Sequence, residues 1–98
     1  MADIRFHWDP KKNAANKRKH GISFEEAQTV FADERAQLLD DPDHSHGEDR
    51  FVLMGLSAAF RVLVVVHSYR DRAGTIRIIS ARKATNSERG YYDQRWRT

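Results

Sequence analysis

Two groups of side chains in this 98-residue sequence are suited to handling protons and anionic oxygen. The first is Lys19-His20, which ends the basic run Lys17-Arg18-Lys19-His20. Histidine exchanges a proton near neutral pH, and an adjacent ammonium adds positive charge. The second is the arginine series Arg61, Arg77 and Arg82. A guanidinium presents a planar fork of donors that matches two phosphate oxygens at once. Proton transfer combined with anion stabilisation is what metal-free cleavage of RNA demands. The substrate brings its own nucleophile, the 2′-hydroxyl. The protein must remove that proton, stabilise the crowded phosphate and protonate the departing 5′-oxygen. On this reading His20 is a candidate acid or base, and Lys19, Arg61, Arg77 and Arg82 supply positive charge. Tyr91 or Tyr92 could stack on a base or donate a proton. Each residue also has a plainer use. His20 could only cap a helix, His67 could be a core histidine, and Tyr91 could only close the core under the last helix.

Two other constellations are weaker. The stretch Asp41-Pro42-Asp43-His44-Ser45-His46-Gly47-Glu48-Asp49 contains good metal ligands, but its spacing matches no zinc or EF-hand pattern, so it reads as a solvated acidic loop. No G-x-S-x-G is present, and neither Ser57 nor Ser80 has a neighbouring His or Asp, which argues against a serine hydrolase. Cysteine is absent, which excludes disulfides, thiolate metal sites and a cysteine nucleophile. That fits a reducing cytosol. The longest apolar run, Val62 to Val66, is far short of the ~20 residues that span a bilayer. Asp3 and Arg5 stand where an export signal would be apolar, so a cytoplasmic protein without such a signal is expected.

The net charge of +3 conceals an uneven distribution. Residues 1–20 carry six Lys/Arg against two Asp, residues 25–49 carry nine Asp/Glu against one Arg, and residues 61–98 carry nine Lys/Arg against three Asp/Glu. If the basic head and tail meet in space, they form one positive face suited to a polyanion.

The elements that must position these residues follow from local pattern. Ile4 to Trp8 alternates with period two and predicts a strand. Asp9-Pro10 opens a helix over residues 10–20, and Gly21 stops it. Ser23-Phe24-Glu25-Glu26 is a capping box, and Phe24, Ala27, Val30 and Phe31 share one face of a second helix reaching about Ala32. Short strands are predicted over 36–40, 50–57, 61–69 and 75–81, with turns at Ser57-Ala58-Ala59-Phe60 and Arg70 to Gly74. A C-terminal helix follows from Glu88 to Trp96. The order β-α-α-β-β-β-β-α predicts one α+β domain. Its two early helices pack on one face of an antiparallel sheet of four to five strands, and the other face is left open for a ligand.

Several blocks in this order resemble a known family. They are Phe6-x-Trp8-Asp9-Pro10, Asn13-x-x-Asn16, Lys19-His20-Gly21-Ile22-Ser23-Phe24-Glu25-Glu26-Ala27 and Val30-Phe31-x-Asp33. They continue in His44-Ser45-x-x-Glu48, Gly55-x-Ser57, Arg61 to Val65, Arg77 to Ala84, Glu88 and Tyr91. Together they cover about 90 residues and resemble the BrnT-type toxins. The resemblance implies a RelE-like α+β ribonuclease fold and a toxin of a bacterial type II toxin–antitoxin system that inhibits translation by cutting RNA. It implies no cofactor, no membrane partner, and neutralisation by a BrnA-like antitoxin with a ribbon-helix-helix element. The expected assembly is two toxins joined through an antitoxin dimer that represses its own operator DNA. RelE-like enzymes use clustered Arg and Lys and a C-terminal tyrosine, so the positional analogues are Arg61, Arg82 and Tyr91. Lys19-His20 joins them as a candidate, while Arg77, Lys83 and Arg89 are expected to bind RNA. The alternative is a non-catalytic RNA- or DNA-binding regulator using the same basic face.

Overall fold

The computed structural model describes residues 4–39, 50–70 and 74–96. The acidic loop over 41–49, with its rejected metal ligands, lies outside these residues, as does the centre of the hairpin loop at 71–73. The element order is the expected one: β1 (Arg5–His7), α1 (Pro10–His20), α2 (Phe24–Thr29), β2 (Gln37–Leu39), β3 (Phe51–Leu56), β4 (Val62–Tyr69), β5 (Thr75–Lys83) and α3 (Asn86–Trp96). The five strands form one sheet in the order β1-β5-β4-β3-β2. Strands β2 to β5 are an antiparallel meander. The first strand departs from the expected antiparallel arrangement. It joins the edge parallel to β5, with Arg5 opposite Thr75, so the sheet is mixed. Two helices carry the chain from β1 to the far edge, where β2 runs opposite to β1, and three antiparallel reversals later β5 runs alongside β1 in the same direction.

Local chemistry sets the helix ends. Asp9 Oδ1 accepts from Lys11 N at 2.8 Å, and Pro10 occupies the first turn of α1, where its missing N–H costs nothing. Gly21 takes the left-handed conformation, φ 74°, and its N–H donates to Lys17 O at 2.9 Å. After Thr29, α2 tightens into a 3₁₀ turn over Val30–Ala32. Gly55 of β3 passes close by. A Cβ there would stand 2.8 Å from Ala36 Cβ and 2.9 Å from Val30 Cγ1, so only glycine lets the strand lie this close.

The sheet is buried on both faces. Ile22, Phe24, Ala27 and Val30 pack on Leu63, Val65, Ile78 and Ala81, with Phe6, Trp8 and Phe31 at the margin. Ile78 and Ala81 reach the same face, although three apart, because the β4–β5 register shifts after Val66 and leaves Ile79 unpaired. On the other face, Tyr92 of α3 covers Val52, Met54, Val62 and Val64. The expectation of an open second face is therefore corrected. A run such as Val62 to Val66 has apolar side chains pointing both ways, and α3 is what covers the second set.

Candidate active site

The helix carrying Lys19 and His20 is fixed by a buried amide. Asn16 Nδ2 donates to Ile22 O and Ala81 O, both at 2.8 Å, and its Oδ1 accepts from Ala81 N at 3.1 Å. Asn13, one turn earlier, accepts from Phe24 N at 2.8 Å and donates to Glu25 at 2.9 Å. The Asn13-x-x-Asn16 pair thus ties α1 to the start of α2 and to β5. Lys12 borders residues 77–79 and Asn16 borders Ala81, so α1 advances along β5 in the same sense. Four more helical residues add about 6 Å, equivalent to about two residues of strand. Lys19 and His20 therefore come roughly level with Lys83. Gly21 already closes the helix end through Lys17 O, so the cap does not depend on the His20 ring.

At this end of the sheet, Arg61 leads into β4 and Arg82 and Lys83 finish β5. Lys83 pairs with Leu63 and Arg82 with Val64, so their side chains emerge on opposite faces. Arg61 lies on the α2 face. Its Nη2 donates to Glu26 Oε1 in a short ion pair, and its Nε donates to Oε2 at 3.0 Å. Ser57 Oγ donates to the same Oε2 at 2.7 Å. These bonds, above all the Arg61 bond, hold the Glu26 carboxyl below its usual range against the opposing pull of burial, with Lys83 adding a smaller favourable charge. The capping box is therefore only half formed. Glu26 N donates to Ser23 Oγ at 3.1 Å, while the carboxylate turns to Arg61.

Arg82 occupies the α3 face. It makes a bidentate pair with Glu88 at 2.8 and 3.0 Å, which pulls the Glu88 carboxyl down to about 2. Glu88 also accepts from Thr85 N at 2.8 Å, and its own N–H donates to Thr85 Oγ1 at 3.2 Å. This is a complete capping box, and it starts α3 two residues earlier than expected. Tyr91, 58% exposed, lies one turn beyond Glu88 and lines an open groove of about 410 Å³ with Leu38, Leu39 and Met54.

The remaining candidates separate. Arg77 lies six residues before Lys83, about 20 Å along the strand. There it lines a smaller cavity with His7, Lys12 and Arg70. Arg89 is exposed on α3. Tyr92 is buried, and its hydroxyl donates to Asp33 Oδ2 at 2.5 Å, which makes it a core residue. His67 is buried between Phe31 and Phe51, and burial lowers its pKa. Of the eight sequence candidates, Arg61, Arg82 and Lys83 lie at one end of the sheet, Arg82 on the α3 face and the other two on the α2 face, while Tyr91 lies one turn beyond Glu88 and Lys19-His20 ends α1.

Residues 8–88 match the family described as ribonuclease toxin, BrnT, of type II toxin–antitoxin system. This chain belongs to the BrnT family. The crystal structure of the ribonuclease toxin BrnT from Brucella abortus superposes with a TM-score of 0.65 over 86% of this chain and 100% of that one, at 20% identity. That likeness carries the fold. No curated protein matches the sequence. Membership of a type II toxin–antitoxin family implies an antitoxin partner. Among the described residues, no helix is long and apolar enough to cross a membrane.

In this BrnT-family chain, sequence reasoning missed the carboxylates that hold the arginines. Glu26 was visible as a capping residue and Glu88 as the start of the last helix, both also within the resemblance, but neither as an arginine's partner. The Thr85-x-x-Glu88 spacing is a capping signal that could have placed Glu88 in the first turn of α3, beside the end of β5. Nothing local in the sequence couples Glu26 to Arg61, 35 residues away.

Proposed function

We propose that the chain cleaves RNA through attack of the substrate's 2′-hydroxyl, without a metal ion, at the end of the sheet where β4 begins and β5 ends. The observation that carries this reading is the pair of arginines fixed by bidentate carboxylates at that end. A guanidinium has five N–H donors. Glu26 takes the Nε edge of Arg61 and leaves Nη1 free of that pair. The carboxylates offset the arginine charges, so the arginines act as oriented donors, while Lys83 and Lys19 supply surplus positive charge. Donors already oriented stabilise a developing dianionic phosphate without reorganising. The 2′-hydroxyl proton passes to water as the new P–O bond forms, His20 protonates the 5′-oxygen as its bond to phosphorus breaks, and Tyr91 flanks the substrate on the α3 face. Arg77, Lys83 and Arg89 bind the RNA backbone. A BrnA-like ribbon-helix-helix antitoxin neutralises the toxin, and the complex binds operator DNA.

The test is cleavage of RNA by purified toxin in EDTA. Shortened products are expected. Arg61→Ala and Arg82→Ala each lower the rate on the order of a hundredfold, and His20→Gln lowers it about 10²–10⁴-fold, all in folded protein. Stoichiometric binding without cleavage would overturn the enzymatic reading in favour of a non-catalytic nucleic-acid binder. Full activity of folded His20→Gln would remove that residue from the site.

A further inference from the structure

Phe60 is the non-glycine residue with positive φ among the described residues, at 61°, and its side chain is 83% exposed. It ends the three-residue loop 58–60 between β3 and β4. Phe60 N donates to Ser57 O at 2.9 Å, and Ser57 N donates to Arg61 O at 2.8 Å. This is a tight turn followed by a left-handed position, the place in such hairpins where glycine is preferred because any Cβ crowds the backbone. A bulky aromatic ring there is strained, and the strain is not repaid by burial. Strain that packing does not require points to use.

The turn is held firmly. Ser57 Oγ donates to Glu26 and accepts from Ala59 N at 3.2 Å, and Ala58 N donates to Thr29 Oγ1 at 2.8 Å. Phe60 is thereby presented next to Arg61, whose guanidinium the same Glu26 orients. Its other loop neighbours, Ala58 and Ala59, are small and exposed, so neither shields the ring. An aromatic anchor for a protein partner ordinarily sits amid contacts that pack closely and exclude water, and in its loop Phe60 has only two exposed alanines beside it. An isolated ring between small residues and a cation suits a flat base whose phosphate lies towards the cation.

We propose that Phe60 is a stacking platform for a nucleobase of single-stranded RNA, adjoining the phosphate held at Arg61. The proposal rests on the ribonuclease reading above. Phe60→Gly is expected to raise the melting temperature by about 4–8 °C, because glycine accepts this φ freely. The same variant raises KM for RNA on the order of tenfold while kcat stays within about twofold. Phe60→Trp retains the wild-type KM, whereas Phe60→Leu, apolar but not planar, behaves like Phe60→Gly. Stacking is read separately with a 2′-O-methyl oligonucleotide containing 2-aminopurine, which the toxin cannot cleave by 2′-hydroxyl attack. Wild-type protein quenches the fluorescence, and Phe60→Gly does not. If wild-type and Phe60→Gly cleave with equal KM and quench equally, the proposal falls while the ribonuclease reading stands. If wild-type does not cleave, the ribonuclease reading falls, and the quenching result alone decides for or against the platform. If Phe60→Gly weakens binding of the purified antitoxin but not of the oligonucleotide, the ring is a protein contact and the proposal is overturned.

Discussion

Glu88 performs two separable tasks, and substitution should resolve them. Its carboxylate takes both forks of Arg82 and also the Thr85 N–H at the start of α3. The ion pair is partly solvated, with the Arg82 side chain 42% exposed, so it contributes about 0.5 kcal/mol. The reciprocal cap contributes about 1 kcal/mol. The carboxyl is lowered from 4.5 to about 2, which undiluted would correspond to ~3 kcal/mol. Solvent screening brings that figure well down towards the ion-pair contribution, because protonation, like Glu88→Gln, removes the charge and leaves the neutral cap in place. Glu88→Gln preserves an acceptor for Thr85 and loses only the ion pair, so it should melt about 2–4 °C below wild type at pH 7. Glu88→Ala loses both and should melt about 6–12 °C lower. Because the folded state holds the carboxyl below its unfolded value, its stabilisation is complete above about pH 4.5 and disappears as pH falls through about 2. Circular-dichroism melts of wild type and Glu88→Gln should therefore converge near pH 2. Equal losses for Gln and Ala at pH 7, or a wild-type-to-Gln gap unchanged between pH 5 and pH 2, would refute this division of labour.

Three further outcomes follow from packing and burial. Gly55→Ala pushes a Cβ to 2.8 Å from Ala36 and 2.9 Å from Val30, and should cost about 1–3 kcal/mol in urea denaturation. Asn16→Ala strands Ile22 O and both backbone groups of Ala81, so a loss of about 2–4 kcal/mol is expected, with α1 amides exchanging hydrogen faster than those of β4. Burial disfavours the charged form of His67, so the unfolded chain takes up its proton first as pH drops below about 6.5. Stability should decline from there, and His67→Phe should flatten that part of the profile.

The parts of the fold written in adjacent residues were legible. Asp9, Pro10 and Gly21 fix α1 because each acts within one turn of the helix end. Val62 to Val66 marks the central strand because only a strand covered on both faces tolerates such a run. The same run already called for a helix on the second face, but nothing near Tyr92 shows which face it covers. The parallel pairing of β1 with β5 has no local signature either, since it depends on where two helices carry the chain. For the candidate site, residue types pointed to Arg61, Arg77 and Arg82 alike, and the family resemblance singled out Arg61 and Arg82. Their convergence at one end depends on the β4–β5 register, and their orientation depends on Glu26 and Glu88. The positive φ of Phe60 was hidden because the turn was readable but its residue broke the usual glycine preference.

The pairing of Arg5 with Thr75 has a consequence for how the molecule is made. The first strand leaves the ribosome 70 residues before its partner, and at about 5–20 residues per second it waits roughly 4–14 s. Asn16 is likewise unsatisfied until Ala81 emerges, 65 residues later. Both cores draw on β5 or the helix behind it, so no early fragment can close either one. A chain interrupted before β5 lacks Arg82, Lys83 and the strand that seats α1. A nascent chain that lacks β5 therefore has neither the partner for β1 nor the seat for α1, and the fold assembles only once that strand has emerged.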